Sequence, residues 1–368
     1  MNLLTNLLFV LSFVITFLTN CGFISNEKLT LIVFIESLFF YLQSKPNYRK
    51  KLLLFFVLLL LFLNYYIASS GIGGIMGILT VFLYVYAIND KNIIASNVLK
   101  IIPLIAYLFL LFYVVNLNKF IVNTNTLGLN AYFLLLTIIP YIASYKDKSK
   151  FCKIISLLIV FTSLIISSWI ILFSECRSAL FALIGLSAFY LVTFIKKISL
   201  KIHKLLSLVF LLSGGIVAWI GIYLSKTNIE LFFVKWLLTE NKQSLFSNRE
   251  LIWEELMKNF YESPILGCGN HISLMSFDSL AVHNSFLAIM CLYGILVFVI
   301  IYMGLWNVIK KIVCYDNSLI RYYYCSFCSV LIIGCYESVL VDDLKFYTIL
   351  PLIFANQLVN KKRLSISK

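Results

Sequence analysis

The feature that most constrains this chain is a succession of apolar segments, each about as long as a helix that crosses a membrane. A bilayer core of about 30 Å takes roughly 20 helical residues to cross. Charged residues make up only 12% of the 368 residues, whereas soluble domains carry about 25%. The pattern therefore predicts an integral membrane protein. It excludes soluble enzymes, secreted disulfide scaffolds and disordered chains.

Twelve apolar segments qualify, and they predict an all-α polytopic membrane protein with about 12 transmembrane helices. They cover residues 3–20, 29–43, 52–68, 70–88, 98–115, 127–144, 153–173, 177–195, 204–224, 283–305, 321–341 and 344–360. The polar stretch 225–282 predicts one large loop between two membrane regions, which are 1–224 with nine helices and 283–368 with three.

The distribution of positive charge predicts the orientation. Most of the 30 Lys and Arg residues lie in alternate gaps between the apolar segments, and cations in short loops stay on the cytoplasmic side. Both termini are therefore expected in the cytoplasm and the loop 225–282 outside it. Since the N-terminus has no basic region before its apolar run, we interpret it as a retained helix rather than a signal peptide. The net charge of +14 is spread over these gaps rather than gathered on one face, so no nucleic-acid partner is expected.

The large loop contains a predicted amphipathic helix. Ser247 and Glu250 fit a capping box that starts a helix running to about Glu262, where Pro264 ends it. Its apolar face is formed by Ile252, Trp253, Leu256, Met257 and Phe260, and its polar face by Glu250, Glu254, Glu255, Lys258 and Glu262. One interpretation of this segment is simply a helix that lies on the outer leaflet of the membrane; the other is that it takes part in the chemistry of the loop.

Three cationic or titratable side chains stand at predicted helix starts on the same side of the membrane. Arg177 and His283 begin segments that run inward, and Arg249 lies in the first turn of the loop helix. Two guanidinium groups and the amides of three helix starts would suit a highly charged anion such as a diphosphate. For each arginine alone, snorkelling at the interface is the competing interpretation.

The other candidates for chemistry are one imidazole and several carboxylates. His283 could accept a proton or bind phosphate, or it could simply cap a helix. Carboxylates expected at the outer face are Glu175, Asp278, Asp342 and Asp343, with Glu337 about a turn deeper. Any of them could act as a general base, and Glu175 and Asp278 are the two candidates that we retain.

Cysteines and glycines suggest packing rather than metal or nucleotide chemistry. Cys325 and Cys328 have the spacing of a metal pair but lie in an apolar segment without a second pair, so no metal site is predicted. Gly73 and Gly77 fit close helix packing. Cys176 and Cys268 are both expected outside, where a disulfide between them is conceivable.

Several of these motifs, in their order and spacing, resemble the O-antigen polymerase (Wzy-type) and O-antigen ligase superfamily over about residues 170 to 305. They are Ser174-Glu-Cys-Arg177-Ser178, Arg249-Glu-Leu-Ile-Trp253, Pro264-Ile-Leu-Gly267-Cys-Gly269, His283-Asn284-Ser285 and Tyr293-Gly294-Ile295. Cys176 stands where the family commonly has Ser, and Tyr293 where many members have Glu.

The resemblance implies a GT-C-like, inverting glycosyltransferase of the bacterial inner membrane that acts on polyprenyl-diphosphate-linked oligosaccharides outside the cytoplasm. Arg177, Arg249 and His283 would be catalytic, and Arg177, Arg249, Asn284 and Trp253 would bind substrate. The diphosphate is already a good leaving group, so no cofactor and no metal are expected. A flippase and a chain-length regulator are candidate protein partners.

Three functions stay open at this point. A repeat-unit polymerase for O-antigen or capsule is preferred. A ligase that transfers finished polymer to lipid A-core shares the same motifs. A flippase for lipid-linked glycans would instead concentrate polar residues at the midplane, often with internal repeats.

Overall fold

The computed structural model describes residues 3–68, 70–88, 98–116, 124–139, 149–195, 200–227, 249–269, 282–315, 317–341 and 345–366. Within these ranges the chain forms helices and no strands. The first nine are α1 (Leu3–Asn20), α2 (Asn26–Gln43), α3 (Tyr48–Ile67), α4 (Ile72–Ile88), α5 (Val98–Asn116), α6 (Thr124–Ile138), α7 (Lys150–Phe173), α8 (Arg177–Ile195) and α9 (Leu200–Ser225). The next five are α10 (Arg249–Glu262), α11 (Ser285–Tyr293), α12 (Ile295–Val313), α13 (Ser318–Gly334) and α14 (Lys345–Ile366).

The helices follow the apolar segments of the sequence closely. Each predicted segment coincides with one helix, except that the segment 283–305 is divided into α11 and α12. By length and apolarity, five helices of the described residues could cross a membrane: α1, α3, α7, the part of α9 from His203, and α12. The fold is therefore that of a helical membrane protein, while the count of twelve spans stays a prediction.

The break between α11 and α12 lies at Gly294, and a glycine is required there. Its φ of 90° belongs to the left-handed region, which side chains with a Cβ rarely adopt. A Cβ at this position would also lie 2.0 Å from the carbonyl oxygen of Ile265. The apolar segment 283–305 therefore contains the break between two helices rather than one continuous helix.

The packing centres on α13 and α14. α13 packs against α8, α9 and α14, and α14 also contacts α4 and α12. α1, α2 and α4 form one side of the bundle and α5, α6 and α7 another. α3 lies at the periphery, where only Val57, Leu60, Leu61 and Asn64 of its side chains are buried.

The loop helix α10 packs against protein. Trp253 and Leu256 are fully buried and Phe260 is nearly so, because this face of α10 contacts α9 and α11. Glu250, expected on the polar face, is buried as well. Ser247 of the predicted capping box lies outside the described residues.

Candidate functional site

Glu337, in the turn that follows α13, binds two of the predicted site residues through its carboxylate. Arg249 donates from Nη2 to Glu337 Oε1 at 2.9 Å, and His283 Nδ1 lies 2.9 Å from Glu337 Oε2. Arg249 Nη1 also donates to the carbonyl oxygen of Tyr336. Glu337 was expected inside a span, but α13 ends at Gly334 and leaves this side chain in the turn.

We call Arg249, His283 and Glu337 the cluster, and its electrostatics favour an ionised Glu337. Its side chain is 14% exposed, against 18% for Arg249 and 33% for His283. Burial alone would raise the pKa of the Glu337 carboxyl, but the hydrogen bond from His283 and the charge of Arg249 outweigh burial and hold it below its ordinary value. A carboxylate only accepts hydrogen bonds, so His283 Nδ1 must be the donor.

The start of α11 is tied to this turn by two neighbouring side chains. Asn284 caps α11 by accepting from the backbone N–H of Leu287 at 3.0 Å, and its amide donates to the carbonyl oxygens of Gly214 and Cys335. Ser285 Oγ donates to the carbonyl oxygen of Glu337 at 2.9 Å. These bonds fix the positions of both ends of the His283–Glu337 pair.

His283 itself has an unusual backbone. Its φ of 48° lies in the left-handed region, which is uncommon for a residue other than glycine. The residue before it is held by α10, because Trp253 Nε1 donates to the carbonyl oxygen of Val282 at 2.9 Å. The loop helix therefore determines where the imidazole stands.

Asn284 and Trp253, which the resemblance predicts to bind substrate, have side chains that are engaged within the protein. Both are fully buried, and the donors of both side chains are used by protein carbonyls. A substrate could reach neither without breaking those bonds. These hydrogen bonds link the residues at the start of α11 to α9 and α10, and the assignment of both residues to substrate binding stays a prediction.

Arg177 begins α8 near the same cluster. The ring of Phe181, one turn along α8, stacks on Tyr336 with centroids 6.3 Å apart. Burial raises the pKa of the neighbouring Cys176 thiol, and the charge of Glu337 raises this pKa further, whereas the charge of Arg249 lowers it. Arg177 is exposed, and its neighbours Cys176 and Phe181 place the start of α8 beside the Arg249–Glu337 pair.

The remaining candidates have different outcomes. Glu175 is exposed and has a φ of 52°, two residues before Arg177. Asp278 lies outside the described residues, as do Asp342 and Asp343. Cys176 and Cys268 are free thiols, so the conceivable disulfide between them is absent. Cys268 instead donates to the carbonyl oxygen of Cys291.

Glu337 is the member of the cluster that sequence reasoning did not single out. It was one of several acids expected near the outer face, and nothing in its neighbours distinguishes it. Glu337 is 54 residues from His283 and 88 from Arg249 in the sequence, so only the packing of the helices brings them together. The one available signal was its place at the end of an apolar segment in a chain with only 16 Asp and Glu residues.

Comparison with known proteins supports the resemblance seen in the motifs. Residues 162–302 match the family model described as O-antigen ligase. No curated protein and no solved structure gives a significant match to the chain. The matched residues include Arg177, Arg249 and His283 but neither Glu337 nor the helices α1 to α6. This match is consistent with the O-antigen polymerase and O-antigen ligase superfamily.

Proposed function

We propose that this protein is a glycosyltransferase that polymerises oligosaccharide repeat units. It transfers a glycan chain from its polyprenyl diphosphate to the non-reducing sugar of a new lipid-linked unit, with inversion at the anomeric carbon. The observation that carries the proposal is the cluster in which Glu337 binds both Arg249 and His283. It lies beside the start of α8, and Arg249 and His283 belong to the residues that match the O-antigen ligase model.

The arrangement suits the two charges that such a transfer must manage. As the bond from sugar to diphosphate breaks, negative charge develops on the leaving diphosphate, and Arg177 and Arg249 would stabilise it. The acceptor hydroxyl must lose a proton as it attacks. With Nδ1 of His283 donating to Glu337, Nε2 is the nitrogen available to take that proton. Glu175 and Asp278 stay as alternative bases.

We further propose the topology that the charges of the sequence predict. The chain would span the bacterial inner membrane twelve times with both termini in the cytoplasm and the cluster on the outer side. Polyprenyl-diphosphate-linked glycans would then be the substrates, after a flippase has delivered them. A donor that is already activated needs no nucleotide at this face.

A ligase that moves finished polymer to lipid A-core is the second candidate, and the description of the matching family favours it. The two differ in the phenotype of a deletion strain. Loss of a polymerase leaves core capped with a single repeat unit. Loss of a ligase leaves bare core and accumulated lipid-linked polymer.

Purified protein in detergent with defined lipid-linked repeat units tests the proposal directly. A polymerase lengthens the glycans without a sealed membrane, whereas a flippase does not. We expect Arg177→Ala and Arg249→Ala each to lower the rate roughly 100- to 1000-fold, and lysine at either position to restore little because it lacks the planar fork.

Arg49→Ala is the matched control for these variants, because Arg49 is an exposed arginine near the start of α3. It should transfer at the rate of the unchanged protein. Undiminished transfer in both Arg177→Ala and Arg249→Ala would refute the assignment of the two arginines to the diphosphate.

A further inference from the structure

The end of α11 that lies away from the cluster is joined to the chain segment that follows α10. The backbone N–H groups of Cys268 and Gly269 donate to the carbonyl oxygens of Cys291 and Leu292 at 2.8 and 3.0 Å. Beyond the break, Ile295 N–H donates to the carbonyl oxygen of Pro264 at 2.9 Å. We call residues 264–269 and 291–295 the junction.

One side chain from the N-terminal half of the protein completes this junction. Asn64 of α3 is fully buried, and its amide donates to the carbonyl oxygens of Leu266 and Leu292. Ser70 Oγ in turn donates to Asn64 Oδ1. The same amide group is therefore hydrogen-bonded to both segments of the junction.

The backbone just after α3 also lies close to the junction. A Cβ on Gly269 would lie 1.9 Å from the carbonyl oxygen of Ala68, which follows α3. Most of the remaining surface of α3 is apolar and exposed, with Phe62 at 62% and Tyr66 at 79%. A buried amide on such a helix is costly unless it is hydrogen-bonded, so the junction accounts for its presence.

The junction and the cluster lie at opposite ends of the same pair of helices. α10 begins at Arg249 and leads into the junction through Pro264, while α11 begins just after His283 and ends in it. The two helices also touch beside the junction, where Cys291 Sγ lies 3.7 Å from Met257 Sδ. A shift at the junction would therefore move Arg249 and His283 relative to Glu337.

We propose that Asn64 is a positioning residue for the transfer reaction. Its hydrogen bonds connect the two segments of the junction and so determine how α10 and α11 pack against each other. That packing keeps Arg249 and His283 within hydrogen-bonding distance of Glu337. α3 lies outside the residues that match the O-antigen ligase model. This inference rests on the proposed function, and its test has one arm that does not depend on activity.

The first arm measures the position of α10 directly. Spin labels on unnatural amino acids at Leu251 of α10 and Ile184 of α8, both exposed, report their separation by pulsed electron resonance. We expect a narrow distance distribution in the otherwise unchanged protein and a broadened or shifted one in Asn64→Ala. Asn64→Gln keeps the two amide hydrogens and should recover part of the narrow distribution.

The second arm measures transfer with the unlabelled variants. Because small misplacements of reacting groups are costly, Asn64→Ala should lower the rate roughly 10- to 100-fold, with Asn64→Gln in between. Asn116→Ala is the matched control, since that amide lies at the end of another apolar helix and donates to Phe112 of its own helix. It should leave both the distances and the rate unchanged.

The outcomes separate the inference from the function on which it rests. An unchanged distance distribution in folded Asn64→Ala would overturn the positioning role, as would a distribution in Asn64→Gln as broad as in Asn64→Ala. If Asn64→Ala does not accumulate in the membrane, Ser70→Ala replaces it, because this change removes only the hydroxyl that orients the amide, and a smaller shift is expected. If the unchanged protein transfers no glycan, the proposed function fails while the distance arm still decides on Asn64.

Discussion

At the scale of single residues, Glu337 is the side chain on which the cluster depends. It accepts from Arg249 and His283 through different oxygens, so one carboxylate orients a cation and an imidazole together. Removing its charge leaves a partly buried guanidinium without its counter-ion, which is costly.

We expect Glu337→Gln to lower glycan transfer by roughly 100-fold, because the amide neither balances Arg249 nor fixes the donor role of His283 Nδ1. The assay with purified protein measures it. Glu254→Gln is the control, since Glu254 forms an exposed ion pair with Lys226 and such pairs contribute little. Equal rates in Glu337→Gln and the unchanged protein would remove Glu337 from the mechanism.

The same carboxylate sets a pH dependence. The pKa of Glu337 lies below its ordinary value of 4.5 in the folded protein, so the stability that it contributes is present above that value and is lost as the pH falls through the lowered pKa. Thermal unfolding of the unchanged protein should therefore show a loss below about pH 4.5 that is smaller in Glu337→Gln. Identical acid profiles would contradict this.

At the scale of helices, the break between α11 and α12 is the feature that composition alone did not indicate. The apolar run continues through Gly294 without a polar interruption, and hydropathy therefore treats it as one span. The break depends on a left-handed glycine and on the hydrogen bonds of the junction.

Gly294→Ala should destabilise the protein by at least about 2 kcal/mol, because the new Cβ meets both the cost of positive φ and a contact with Ile265. Thermal unfolding in detergent measures the change. Gly73→Ala in α4 is the control, since no atom lies within 4 Å of a Cβ there. A melting temperature of Gly294→Ala equal to that of Gly73→Ala would mean that the break does not need this glycine.

At the scale of the whole molecule, the proposed topology makes a claim about which surfaces face which side. Tyr261 of α10 is 72% exposed and Tyr48 of α3 is 77% exposed. We expect an impermeant maleimide to label Tyr261→Cys in intact cells and Tyr48→Cys only after the membrane is opened, each compared with the unsubstituted chain. Labelling of both in intact cells, or of neither, would contradict the alternation of loops.

The sequence by itself determined where the helices lie and which motifs resemble the O-antigen polymerase and O-antigen ligase superfamily. Apolar runs and the residues that end them act locally, and so the predicted segments and the helices agree closely. Arg177, Arg249 and His283 could be singled out as candidate site residues because a cation at a helix start is unusual. Only the tertiary structure decided that Glu337 rather than another acid binds Arg249 and His283. It also decided that Asn284 and Trp253 are buried and that Asn64 reaches the junction. Those outcomes depend on contacts between residues far apart in the chain, and such contacts follow from how whole helices pack rather than from the properties of any local segment.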